Sequence, residues 1–177
     1  MEKWKESEGK KVLKTIGIKE SQKIVDFGFG TGIYTFLSSE IIGPNGLIYS
    51  IDKDAEKVDD LKEQIKEKRI NNVRVIKNTE KISIPLEEKS IDVVFLFDIL
   101  HLLNEKDLFK LISECSRILK RDGFVSYHVT HRDETNLEKI KNLMNQFGLV
   151  LTKEMKLPMF HWSWIEEGLI LNFRIKE

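Results

Sequence analysis

The feature that most narrows the folds open to this chain of 177 residues is a strand-turn-helix unit near its start. Ile24-Val25-Asp26-Phe27 has the length and composition of a buried strand. It runs through Gly28-Phe29-Gly30-Thr31-Gly32 into Ile33 to Ile42, which reads as a helix stopped by the turn signal Gly43-Pro44-Asn45-Gly46. Glycines at such a turn let a ligand approach the backbone and aim helix N-terminal N–H groups at it. A single glycine there would answer only the needs of a tight turn, whereas three at alternate positions point to a ligand. The spacing is G-x-G-x-G and not the dinucleotide pattern, because the position three after Gly30 is Ile33. Asp26, at the head of the turn, would repel a pyrophosphate and suits a ligand that carries a cationic amine.

The rest of the chain continues the alternation. Leu47 to Ile51 reads as a strand, Ala55 to Ile70 as a helix with Val58, Leu61 and Ile65 on one face, and Val73 to Ile76 as a strand. Ile91 to Phe97 is nearly continuous in apolar residues, the pattern of a strand buried on both faces. Lys106 to Lys120 predicts a helix, Gly123 to Thr130 a fifth strand, and Asn136 to Phe147 a helix ending at Gly148. Leu149 to Leu157 and Leu169 to Lys176 then read as two strands with no helix between them, predicted to pair as an antiparallel hairpin. Strand-helix alternation at this pitch predicts a doubly wound α/β fold, a parallel sheet with helices on both faces. No linker or repeat divides the chain, so a single domain over residues 1–177 is expected: an N-terminal helix and lead-in (1–20), a core (21–148) and the C-terminal hairpin (149–177).

A second acid falls in Tyr49-Ser50-Ile51-Asp52, at the end of the second strand. It lies 52 − 32 = 20 residues after the last glycine, the separation of an acid that accepts hydrogen bonds from ribose hydroxyls. Asp54 is placed to cap the next helix, which leaves Asp52 for a ligand.

With these residues the chain resembles the class I S-adenosylmethionine-dependent methyltransferases, of the small-molecule type related to the ubiquinone and menaquinone biosynthesis enzymes. Asp26, Gly28, Gly30 and Gly32 match the family's first motif, Asp52 its ribose-binding acid, and Ser90-Ile91-Asp92-Val93-Val94 its strand-four motif. Leu119-Lys120-Arg121-Asp122-Gly123 matches the turn before strand five, with Arg121 where the family usually has proline. Phe29 stands in place of a small residue, and Asn78-Thr79-Glu80 in place of the frequent Gly-Asp-Ala. The resemblance implies a seven-stranded, mostly parallel sheet whose antiparallel seventh strand is inserted beside the sixth. It implies S-adenosylmethionine as cofactor, with S-adenosylhomocysteine as product. Gly28 and Gly30 would admit the methionine portion, Thr31 would bond its carboxylate and Asp26 would hold its amino group. Asp52 would grip the ribose, Lys53 would flank the adenine, and Thr79 or Glu80 would contact it. Main-chain groups near Phe97 and Asp98 would complete the pocket.

Displacement at a sulfonium mainly needs alignment and removal of water, so no catalytic triad is expected. A base is required only where the acceptor must lose a proton. His101, after the fourth strand, and His131 and His161 are the acceptor-side candidates; no metal is expected. His128, on the fifth strand, is predicted to face away from His131. Pro158-Met159-Phe160-His161-Trp162-Ser163-Trp164 reads as the loop between the last strands, able to wall an apolar or aromatic acceptor, plug the sheet edge, or meet a partner or second copy. Cys115 falls on an apolar helix stripe and reads as core.

Composition limits the partners. Lys plus Arg and Asp plus Glu number 29 each, so the formal charge is zero, which disfavours bulk capture of nucleic acid. The absence of an apolar stretch of membrane-spanning length and of an apolar N-terminal core predicts a cytoplasmic protein. The leading expectation is methyl transfer to a small-molecule acceptor. The alternatives are a non-catalytic S-adenosylmethionine-binding subunit or sensor and an NAD-dependent dehydrogenase.

Overall fold

In the computed structural model the described residues are 4–79, 82–130, 136–161 and 163–176. Seven strands form one sheet in the order β3-β2-β1-β4-β5-β7-β6. Their spans are β1 (Lys23–Phe27), β2 (Leu47–Asp52), β3 (Val73–Lys77), β4 (Ile91–Phe97), β5 (Leu119–Val129), β6 (Leu149–His161) and β7 (Trp164–Ile175). β1 pairs in parallel with β2 and β4, β2 with β3, and β4 with β5. β7 is antiparallel to both β5 and β6. This is the predicted doubly wound architecture with an antiparallel strand inserted before the last one.

A short π-helical turn, Trp4–Glu8, leads into α1 (Gly9–Ile16). The remaining helices are α2 (Ile33–Ile42), α3 (Ala55–Glu67), α4 (Glu105–Ile118) and α5 (Leu137–Gln146). The sheet buries both faces because β4 alternates between two cores. Val94 and Leu96 pack with Leu111, Ile112 and Cys115 of α4 and with Ile140 and Met144 of α5. Val93, Phe95 and Phe97 pack on the other face with Leu13 and Ile16 of α1 and with Leu37 and Ile41 of α2. Cys115 is fully buried, as its stripe predicted, and burial pushes its thiol well above the ordinary range.

Between β3 and β4 the described residues form no helix. Ile82 and Ile84 reach the α4 side of the core there. Arg117 holds this crossing by donating to the Ile84 and Leu86 carbonyls at 2.9 and 2.8 Å, while the Ile84 N–H donates to Glu114 at 3.0 Å. The Arg117 hydrogen bonds, outweighing partial burial, hold the Glu114 carboxyl below its usual range.

Three boundaries differ from the sequence expectation. α3 ends at Glu67, with Arg69 in a left-handed conformation (φ 53°) that stops the helix before Ile70. Leu119 and Lys120 leave the predicted helix and begin β5, because Leu119 pairs with Ile91 ahead of a bulge. The predicted loop 158–164 is largely strand: β6 runs to His161 and β7 starts at Trp164. β6 is the sheet's edge, so Pro158 is tolerated within it because a missing edge N–H costs no ladder bond. No helix among the described residues is long and apolar enough to cross a membrane.

Candidate functional site

The sheet order places the chain's reversal between β1 and β4: connections leave β1 toward β2 on one side, and β4 lies on the other. Chain segments diverge there beyond the strand ends and open a crevice. A cavity of about 570 Å³ occupies it, within the ~300–1,000 Å³ of small-molecule sites.

One wall comes from the ends of β1 and β2. Asp26 is buried, and its carboxylate accepts the Thr35 hydroxyl at 2.6 Å, which is itself 2.8 Å from the Ser50 hydroxyl. Burial pushes Asp26 up to about 6; the Thr35 hydrogen bond works against that rise and the charge of Asp52 adds to it. A cationic group in the cavity would restore its ionised form. Asp52 accepts the Asp54 N–H at 3.1 Å on one oxygen and the Gly30 N–H at 3.4 Å on the other. Asp54 in turn caps α3 through the Glu56 and Lys57 N–H groups, as its position predicted.

The glycine turn follows Asp26. Gly28 and Gly32 have φ values of 76° and 75°, and a Cβ on either would strike a side chain: Ile99 at 2.9 Å and Leu61 at 2.8 Å respectively. Gly30 (φ 57°) has only a carbonyl oxygen at 3.9 Å, so its open side faces the cavity. Asp26, Gly28, Gly30, Thr31, Asp52, Lys53, Thr79, Phe97 and Asp98 all line this one cavity. Gly32 instead opens α2 as its N-cap residue. Glu80 and His131 lie outside the described residues.

The opposite wall is aromatic. Tyr34 of α2 meets Phe97 edge-on at 4.9 Å, and Phe97 meets His128 of β5 at 6.2 Å. The Tyr34 hydroxyl donates to the Phe160 carbonyl at 2.8 Å and accepts the Phe160 N–H at 2.9 Å, pinning β6 to α2. Behind this wall Trp4 stacks on Phe160 at 5.8 Å and donates its indole N–H to the Pro158 carbonyl at 2.8 Å.

His161 sits where this wall meets Asp98. Its Nε2 is 3.1 Å from one Asp98 oxygen, and its Nδ1 is 3.1 Å from a Glu166 oxygen. Burial acts to raise the Glu166 carboxyl, but the Trp164 indole N–H and His161 hold it below the ordinary range. Asp98 has φ 55°, a left-handed conformation that is costly without glycine and that turns its carboxylate into this cluster.

His101 is placed differently from the sequence expectation. It is not among the cavity walls; its Nδ1 lies 3.4 Å from the Thr130 hydroxyl and 3.8 Å from Asp98. Residues Leu100–Leu102 form a 3-10 turn that offers Leu102 to the cavity and turns His101 toward β5. Tyr34, His128 and Glu166 were not among the expected site residues. The one sequence signal for His128 is Gly168, a glycine inside β7 where any Cβ would collide with the His128 ring.

The residues suit S-adenosylmethionine on the chemistry of the donor set. A buried carboxylate waits for a cation, a second carboxylate stands at ribose distance in sequence, and bare backbone lies at Gly30. Residues 24–123, more than half of the chain, match a family model described as a methyltransferase domain. A demethylmenaquinone methyltransferase of Lactococcus lactis is 28% identical over 164 residues, covering 89% of this chain and 62% of that protein. One from Staphylococcus aureus is 27% identical over 174 residues, covering 95% of this chain and 68% of its own. The chain thus spans about two thirds of the length of these relatives. A solved S-adenosylmethionine-dependent methyltransferase from Aquifex aeolicus superposes with a TM-score of 0.80 at 22% identity, covering 97% of this chain and 92% of that one. The alternating strands, the inserted antiparallel β7 and the match through β1 to β5 place this chain in the methyltransferase domain family, with the fold of the class I S-adenosylmethionine-dependent enzymes.

Proposed function

We propose that this protein transfers a methyl group from S-adenosylmethionine to a small, flat, apolar acceptor in the cytoplasm. The observation that carries this reading is the sharing of one cavity by two unlike walls, an acidic wall at Asp26 and Asp52 and an aromatic wall at Tyr34, Phe97 and Phe160. The cofactor supplies an activated methyl group on a sulfonium. Asp26 holds its ammonium, Asp52 its ribose hydroxyls, Thr31 its carboxylate, and Lys53 and Thr79 flank the adenine. Glu80 is proposed for the same end of the cofactor from the sequence alone. Phe97 and the Asp98 backbone close the methionine end beside the aromatic wall, so the acceptor is held dry and aligned. Alignment of this kind supplies roughly 7–11 kcal/mol of the barrier.

The names of the two relatives point to a demethylated quinone ring as the acceptor class. The test supplies methyl-labelled S-adenosylmethionine and reduced 1,4-naphthoquinone, a ring without a lipid tail, and follows label entering the ring. Labelled methylnaphthoquinol together with S-adenosylhomocysteine is expected. Binding of S-adenosylhomocysteine without turnover of a panel of ring acceptors would instead favour a non-catalytic cofactor-binding subunit.

A further inference from the structure

Methylating a ring carbon releases a proton, and one group of side chains beside the aromatic wall is arranged to carry it away. We propose that Asp98, His161 and Glu166 form a proton relay in which Asp98 receives the acceptor's proton, His161 passes it on, and Glu166 delivers it to solvent. This rests on the methyltransferase reading above.

The geometry gives the order. Asp98 and His161 both line the cavity, whereas Glu166 does not. Nε2 of His161 lies 3.1 Å from an Asp98 oxygen and Nδ1 3.1 Å from a Glu166 oxygen, so the ring sits between two carboxylates with one nitrogen near each. With Nε2 beside Asp98, the group placed to face the acceptor is the carboxylate. The His161 side chain is 7% exposed, against 26% for Asp98 and 36% for Glu166. The ring is therefore a sealed bridge with its outlet at Glu166. Among the described residues, His128 of β5 also faces it, with its ring centroid 6.3 Å away, and Trp164 bonds Glu166 from the far side. His101 approaches Asp98 on its other oxygen at 3.8 Å, and Tyr34 is committed to the Phe160 backbone.

The balance is simple. As the ring carbon takes the methyl group, the carbon–sulfur bond of the sulfonium breaks and its electron pair stays on sulfur, giving a neutral thioether. The carbon–hydrogen bond then gives its proton to Asp98 and its electron pair back to the ring. Asp98 protonates Nε2 as Nδ1 releases its proton to Glu166, and Glu166 loses it to water. No oxidant or metal is required.

Glu166 is a positioning and outlet residue that does not touch the acceptor, so Glu166→Gln is the sharpest probe. At pH 7, with reduced 1,4-naphthoquinone as acceptor, it is expected to lower kcat at least tenfold, with both KM values within threefold of wild type. Activity should recover toward wild type at pH 9, where hydroxide can take the proton. His161→Asn should lower kcat by at least as much. An unchanged kcat in Glu166→Gln would overturn the relay while leaving methyl transfer intact. A second measurement needs no acceptor. In the S-adenosylhomocysteine complex at pH 7, proton NMR is expected to show one His161 ring N–H signal, on Nδ1 and protected from exchange, with Nε2 left unprotonated beside Asp98. In Glu166→Gln, whose amide oxygen accepts only a neutral hydrogen bond, that signal should move upfield. Absence of protected His161 ring protons in the wild-type protein would also overturn the relay. Protected signals with no turnover of the naphthoquinol would support the relay and move the failure to the choice of acceptor.

Discussion

The two walls of the cavity are built in different ways. The acidic wall comes from consecutive strands and the turns that follow them, so Asp26, the glycine turn and Asp52 lie within one βαβ unit. The aromatic wall gathers Tyr34, Phe97, Asp98, His128, Phe160 and His161 from four elements and a strand-end turn, with the Tyr34–Phe160 link spanning 126 residues. The first wall depends on local backbone chemistry and the second on tertiary packing. Substitutions should therefore separate them: changes in the acidic wall act on the cofactor, and changes in the aromatic wall act on the acceptor and on the anchoring of the hairpin.

The largest effect expected is at the glycine turn. Gly28→Val would force a side chain into Ile99 at a positive φ, and should cost about 3 kcal/mol of stability in denaturant unfolding. A loss below ~1 kcal/mol would mean that the turn has a different conformation. Next comes Asp52→Ala, which removes a charged acceptor worth about 1.5–3 kcal/mol. Calorimetry should show cofactor affinity falling at least about tenfold, with the naphthoquinol KM unchanged. Loss of acceptor binding instead would erase the distinction between the walls.

A pH series sharpens it. Asp26 has its folded value raised to about 6, above the ordinary 3.8. The unliganded fold therefore holds more protons than the unfolded chain between these values, and this group's contribution to stability falls as pH rises through that window. Ligand binding has the opposite trend, because an ammonium group needs the ionised carboxylate. Affinity for S-adenosylhomocysteine should drop about tenfold between pH 7 and pH 5, and Asp26→Asn should flatten the curve. The smallest effect is expected at Tyr34→Phe, which removes both hydrogen bonds to Phe160. It should lower stability by about 1–2 kcal/mol and raise the acceptor KM, leaving cofactor affinity within threefold. Equal losses on both ligands would show that α2 couples the walls.

The same contrast explains what was legible in the sequence. Alternating apolar runs and Gly/Pro punctuation gave the strand and helix order, since each signal is local. Asp26, the alternate glycines and Asp52 were readable because their spacing is set by a single turn. The extents of β6 and β7 were not, because Pro158 reads as a breaker until β6 is known to be an edge strand. His101 was expected at the cavity, but a 3-10 turn gives that place to Leu102. His128 and Glu166 carry no spacing signal, and only the β5–β7 and β6–β7 registers bring them to His161.

A crystal structure of the protein soaked with S-adenosylhomocysteine tests the central claim most directly. The ribose hydroxyls should lie within hydrogen-bond distance of Asp52 and the amino group should face Asp26, with the sulfur turned toward Phe97 and the aromatic wall. A nucleoside bound elsewhere, or a crevice closed by its own side chains in the presence of saturating ligand, would contradict the account.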